Sequence, residues 1–161
     1  VEKRSKPPAW VGRSVPGKVM VAEALDDGRW LVLTRDEVAL VAESGLQWRR
    51  PWFEVERGEW DGESHTLTVH WVGDATPVPL TTRSESPKTL PLAFRERVDA
   101  SVVHVETERA RGGGSLRGAV RRRPDGSLLV QVLGVGRLRP GPELETQVDA
   151  LEARLRDAVG L

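Results

Sequence analysis

Cysteine and tyrosine are absent from this 161-residue sequence, phenylalanine occurs twice and methionine once. Without cysteine there is no disulfide, no thiolate metal site and no cysteine nucleophile. A cysteine-free chain suits a reducing compartment, and the expected location is the cytoplasm. No apolar run reaches the length of a signal-peptide core or a membrane span, so no transmembrane segment is expected; the longest runs are strand-sized. Net charge is missing too. Lys+Arg and Asp+Glu total 24 each, and the formal net charge is zero. The bulk charge therefore gives no field that would draw in nucleic acid or an anionic membrane.

What is present is an ordinary globular composition, 39% hydrophobic and 30% charged, long enough for one domain or two small units. Arginine far outnumbers lysine, and Ala, Val, Gly and Leu are common, the imprint of a GC-rich bacterial genome. Charge is uneven locally. Residues 101–140 hold eight Arg against three acids, a net of +5; residues 141–161 hold two Arg against five acids, a net of −3.

The first 17 residues, with Pro7, Pro8 and Pro16, read as a tail that is either a disordered arm or a strap held by Trp10 and Val11. Strands follow at Lys18 to Leu25, Arg29 to Asp36 and Val38 to Glu43, with a hairpin turn at Asp26-Asp27-Gly28. In the second of these, Trp30, Val32 and Thr34 share one face and Leu31 and Leu33 the other. Residues 46–60 continue as strand, interrupted by Pro51, which has no N–H for a ladder. The run 65–72 is a further strand, with His65, Leu67, Val69 and Trp71 on one side, and residues 76–83 are a last short one. The period then changes. Leu90, Phe94 and Val98 are four apart, which predicts a helix over 90–100, best started from Thr89 so that no proline falls in its interior. Three more strands are expected at 101–107, 115–123 and 127–135, the last two joined by the turn Pro124-Asp125-Gly126. A helix opens at Gly141-Pro142, carries Leu144, Val148, Leu151 and Leu155 on one stripe, and closes at Gly160.

A run of short antiparallel strands closed by one amphipathic helix is the order of a pleckstrin-homology-like (PH-like) barrel. The segment Arg29 to Val41, then Arg50, Pro51, Trp52 and Val55, then the strand at 65–72, resembles bacterial PH-like domains, and the chain also looks like a group of actinobacterial proteins of similar layout. The resemblance covers roughly residues 16–100. It implies an α+β protein with an N-terminal PH-like antiparallel β-barrel capped by a helix (18–100). A small three-stranded sheet plus C-terminal helix (101–161) would pack on that barrel. No activity follows from it. The best-known PH function, phosphoinositide binding, uses basic residues at the loop between the first two strands. Here that loop carries Asp26 and Asp27, with only Arg29 following, so phosphoinositide binding is not expected.

No catalytic pattern emerges, and the chain is read as a non-enzyme without cofactor or metal. His65 and His70 lie five apart on one strand and face opposite sides; His104 is remote. There is no Gly-x-Ser-x-Gly elbow, and the Gly112–Gly114 run lacks the lysine and helix of a phosphate loop. The carboxylates Glu54, Glu56, Glu59, Asp61 and Glu63 are dense; Glu54 and Glu56 alternate with Val55 and Arg57 as on a solvated strand face, with a divalent cation as the minority reading. Two stretches remain as partner-binding candidates. One is Trp48, Arg49, Arg50 and Trp52 around the Pro51 break, where an exposed strand edge would accept a peptide by strand addition. The other is the basic hairpin with Arg117, Arg121, Arg122 and Arg123, within residues 109–123, whose charge the acidic last helix would partly cover. The expected function is a non-catalytic module recognising a protein or peptide. Nucleic-acid or acidic-partner binding through the arginine hairpin is the alternative, and an enzyme of unrecognised type the second.

Overall fold

In a computed structural model of the chain, residues 6–74 and 76–161 are described. The first five residues of the expected tail, among them Glu2, Lys3 and Arg4, lie outside them. The chain divides into two compact units, Val1–Asp99 and Ala100–Leu161.

The N-terminal unit begins with a short helix, α1 (Ala9–Arg13), which the sequence pattern did not reveal. Five residues after two prolines give no periodicity to read. α1 is closed by Ser14, whose Oγ donates to Trp10 O at 2.6 Å. It buries Val11 to 1% exposure. Four strands follow, β1 (Val19–Ala24), β2 (Trp30–Thr34), β3 (Glu37–Ala42) and β4 (Gly45–Pro51), in an antiparallel sheet of that spatial order. Every residue of β2 is buried, because both faces of the sheet are covered. Trp30, Val32, Ala39 and Val41 pack under Val11 and Val15 on the outer face. Leu31, Leu33, Val38 and Leu40 enter the main core on the inner face.

After Pro51 the chain makes one 3-10 turn (Trp52–Glu54) and enters a second antiparallel sheet, β5 (Val55–Asp61), β6 (Thr66–Trp71) and β7 (Val78–Thr81), in that order. Its inward residues, Val55, Leu67, Val69, Trp71 and Leu80, complete the core with Leu90, Phe94 and Val98 of α2 (Leu90–Ser101). The later helix start holds: Ala93 N donates to Thr89 O at 3.0 Å. Phe94 lies so close to β5 that a Cβ on Gly58 would stand 2.6 Å from its ring, so only glycine fits there.

The expected barrel is corrected on one point. The strands do not close; they form separate sheets of four and three. At one end an isolated bridge, Leu25 with Thr82, joins them. At the other, Pro51 offers no donor and the 3-10 turn ends the β4 ladder before β5 begins. What holds is an α+β architecture of antiparallel sheets and helices.

The C-terminal unit has β8 (Val102–Arg109), β9 (Ser115–Arg122) and β10 (Leu128–Val135) in the order β10-β9-β8, and α3 (Pro142–Ala158). Leu151 and Leu155 of α3 are fully buried with Leu116 and Val120, while Leu144 and Val148 pack at the margin with Val130 and Val132. Gly118 of β9 lies directly under Leu155 and Leu151, which lets the helix approach the sheet closely. No helix among the described residues is long and apolar enough to cross a membrane.

Candidate functional site

The N-terminal unit has a groove of about 710 Å³ where β1 begins and β2 turns into β3. It is lined by residues 16–20 and 34–37. Pro16, Val19 and Met20 give it an apolar wall, and Met20, the only methionine, is 52% exposed. Lys18, Arg35, Asp36 and Glu37 supply charge of both signs at its rim. β1 is an end strand of its sheet, and the groove lies where it begins, next to the Val19–Thr34 pair. Sequence reasoning missed this site. Its two segments are the open ends of the β1–β2 hairpin, and neither has a motif.

The groove's far wall is a braced turn. Thr34 Oγ1 donates to Glu37 O at 3.2 Å and accepts from Glu37 N at 3.1 Å. Beneath it lies Trp52. Its indole N–H donates to Thr34 O at 2.9 Å and its backbone N–H to Asp36 O at 3.3 Å. Trp52 was expected at a partner surface, but it is 3% exposed and packs edge-on to Phe94, ring centroids 5.3 Å apart. An indole brings a large apolar area and one N–H that needs an acceptor, and burial under this turn satisfies both. Its role is support, not contact.

The other three residues of that stretch lie on β4. Trp48 is half-buried against the core and meets Trp71 edge-on at 5.2 Å. Arg50 lies over the Trp71 ring at 4.2 Å and its Nε donates to Glu54 at 2.9 Å, so its charge is held on both sides. Arg49 is exposed and reaches Glu37 at 3.4 Å, back toward the groove rim. The β4 edge is marked by Arg49, Arg50, Pro51 and a register shift opposite Leu40 and Val41. Such features blunt strand addition.

The basic hairpin is not one surface. Arg121 is 3% exposed and donates to Ser101 Oγ through Nε and Nη2 at 3.2 and 2.6 Å. Burial thus removes it from the expected patch. Arg123 folds onto its own turn, donating to Ser127 Oγ and Leu128 O. Arg117 is half-buried and Arg122 exposed. α3 meets the sheet with the opposite polarity to the one expected: its Arg154 pairs with Glu106 and Glu108 of β8 at 3.3 and 2.8 Å.

At the β1–β2 loop, Asp27 holds Arg29 by hydrogen bonds to its N and Nε at 3.0 and 2.8 Å. The guanidinium keeps the Asp27 carboxyl below its usual range, and the carboxylate in turn occupies the only cation of that loop. His65 is not on the strand face: it has φ 41° and its Nδ1 lies 2.6 Å from Thr82 O. His70 Nε2 is 3.4 Å from Glu59 Oε2, a distance for charge attraction, but its geometry makes no hydrogen bond. Glu54, Glu56 and Glu59 pair with Arg50 and Arg57. Among the described residues, no group of three such side chains is placed to hold a metal ion. No protein-family model matches the sequence, and no curated protein matches it.

Proposed function

We propose that the N-terminal unit is a PH-like, non-catalytic binding module in a bacterial cytoplasm that holds an extended protein or peptide segment in the groove beside β1. The observation that carries this reading is the apolar wall of Pro16, Val19 and Met20 at the edge of a sheet. A peptide there would bury apolar side chains against an adaptable thioether and offer main-chain groups to the strand edge. The rim favours such a ligand as well. Charges of both signs suit a mixed peptide better than a single ion. The PH-like assignment is supported by the order of four strands, three strands and a core-filling helix, with a bridge, Leu25 with Thr82, just past the ends of β1 and β7. The cytoplasmic reading is supported by the absence of cysteine.

The test is selection of a random dodecapeptide display library on the full chain, followed by titration of enriched peptides. Met20→Glu, at an exposed position, leaves the fold intact and is expected to weaken binding at least about tenfold, or ~1.4 kcal/mol. Arg122→Glu, in the other unit, should bind as wild type. Failure to enrich any peptide, or equal binding by Met20→Glu, would refute the proposal.

A further inference from the structure

Eight arginines lie between residues 101 and 140, and the fold sorts them in a way their spacing does not announce. Arg121 is buried and Arg123 is bound to its own turn. Four others are collected at one end of the C-terminal sheet. Arg109 ends β8 and Arg111 follows it in the turn to β9; Arg137 and Arg139 lie in the segment after β10. All four are exposed.

Glycine brings these two segments together. A Cβ on Gly112 would stand 3.1 Å from the Arg139 side chain, and one on Gly113 3.3 Å from Arg137 O. Gly112, Gly113 and Gly114 have φ of 87°, 116° and 75°, a left-handed run that other residues rarely adopt. Gln147 of α3 fixes the first segment. Its Oε1 accepts from Arg111 N at 2.9 Å and its Nε2 donates to Arg109 O at 2.7 Å.

The acids that might answer this charge are committed elsewhere or make no pair with it. Glu106 and Glu108 hold Arg154. Among the described residues, none of the four arginines takes part in an ion pair, whereas Arg29, Arg49, Arg50, Arg57, Arg154 and Arg156 each have a carboxylate partner. Four like charges gathered on a fixed loop repel one another unless a ligand supplies the counter-charge.

We propose that Arg109, Arg111, Arg137 and Arg139 form a contact for the phosphate backbone of a nucleic acid, read without regard to sequence. Protein hot spots combine arginine with Trp and Tyr, and no aromatic residue follows Phe94 in the chain to accompany these four arginines. The same absence excludes base stacking. Repeated phosphates, in contrast, need only guanidinium groups at intervals.

Fluorescence anisotropy of the full chain with a labelled 20-base-pair duplex of arbitrary sequence, from 25 to 200 mM salt, is the test. Four phosphate contacts give a slope of about −3.6 in log association constant against log salt. The double variant Arg111→Glu/Arg139→Glu should reduce it to about −1.8 or less and weaken binding more than about tenfold at 25 mM salt. Arg122→Glu, at the opposite end of β9, should change neither. Absence of binding at 25 mM salt, or equal loss with Arg122→Glu, overturns the proposal. Poly-glutamate bound as tightly as the duplex overturns it in favour of an acidic protein.

Discussion

Trp52 supports the turn between β2 and β3 through its indole N–H, which donates to Thr34 O. Next to Arg50 and Pro51, with a second tryptophan four residues back, it reads as part of a grip on a ligand. The deciding fact is the acceptor for its indole N–H. That acceptor is Thr34 O, 18 residues earlier in the chain, and no local pattern could have named it. Trp30 and Trp71, by contrast, have apolar neighbours at alternate positions and were legible as core; both are 4% exposed. If the bond matters as argued, Trp52→Phe keeps most of the packing but leaves a buried carbonyl without its donor. The expected loss is ~1–3 kcal/mol in urea denaturation. A loss well below about 0.5 kcal/mol would mean that the bond contributes little net stability.

Elements were more legible than sites. Among the described residues, the strands and the two longer helices follow from alternation, from spacings of three and four, and from turn residues, all of which are local, although β4 and β5 read as one run interrupted at Pro51. α1 was not, because its stability comes from burying Val11 and Val15 on a sheet that forms later in the chain. Nor was closure of the barrel, since whether β4 and β5 pair depends on how two edges meet in space. The arginine cluster falls in the same class: it is assembled from two segments that only the fold brings together. The β9–β10 hairpin shows how much a good local signal can specify. Asp125 accepts from Ser127 Oγ at 2.6 Å and from Ser127 N at 2.9 Å, and these donors hold its carboxyl below the usual 3.8. A carboxyl with a depressed folded pKa adds stability above its unfolded value, and that contribution fades as pH falls through the folded one. Ser127→Ala removes the hydroxyl donor, the larger cause, so the Asp125 titration midpoint should rise toward 3.8 by carboxyl NMR. An unmoved midpoint would place the cause elsewhere.

Taken over all its residues, the protein is electrically balanced, and the same absences that exclude chemistry shape how that balance responds to pH. Its formal charge is zero and its isoelectric point about 7.0. Most neutral proteins turn negative on the alkaline side partly through cysteine and tyrosine. This chain has neither, and its 24 basic residues are nearly all arginine, which stays charged. Only the amino terminus and four lysines remain to titrate below the arginine range. With so few groups left to lose a proton, the net charge should change little between about pH 7.5 and 9.5. On the acid side the 24 carboxylates gain protons, so the charge should climb steeply below about pH 5. Electrophoretic light scattering is therefore expected to give a mobility near zero across a broad alkaline plateau and a sharp positive rise in acid. Because proteins of near-zero charge associate, solubility should be lowest over that same plateau rather than at a narrow isoelectric point. A mobility that turns strongly negative by pH 9 would contradict this, since the chain has too few groups that lose a proton there to produce it.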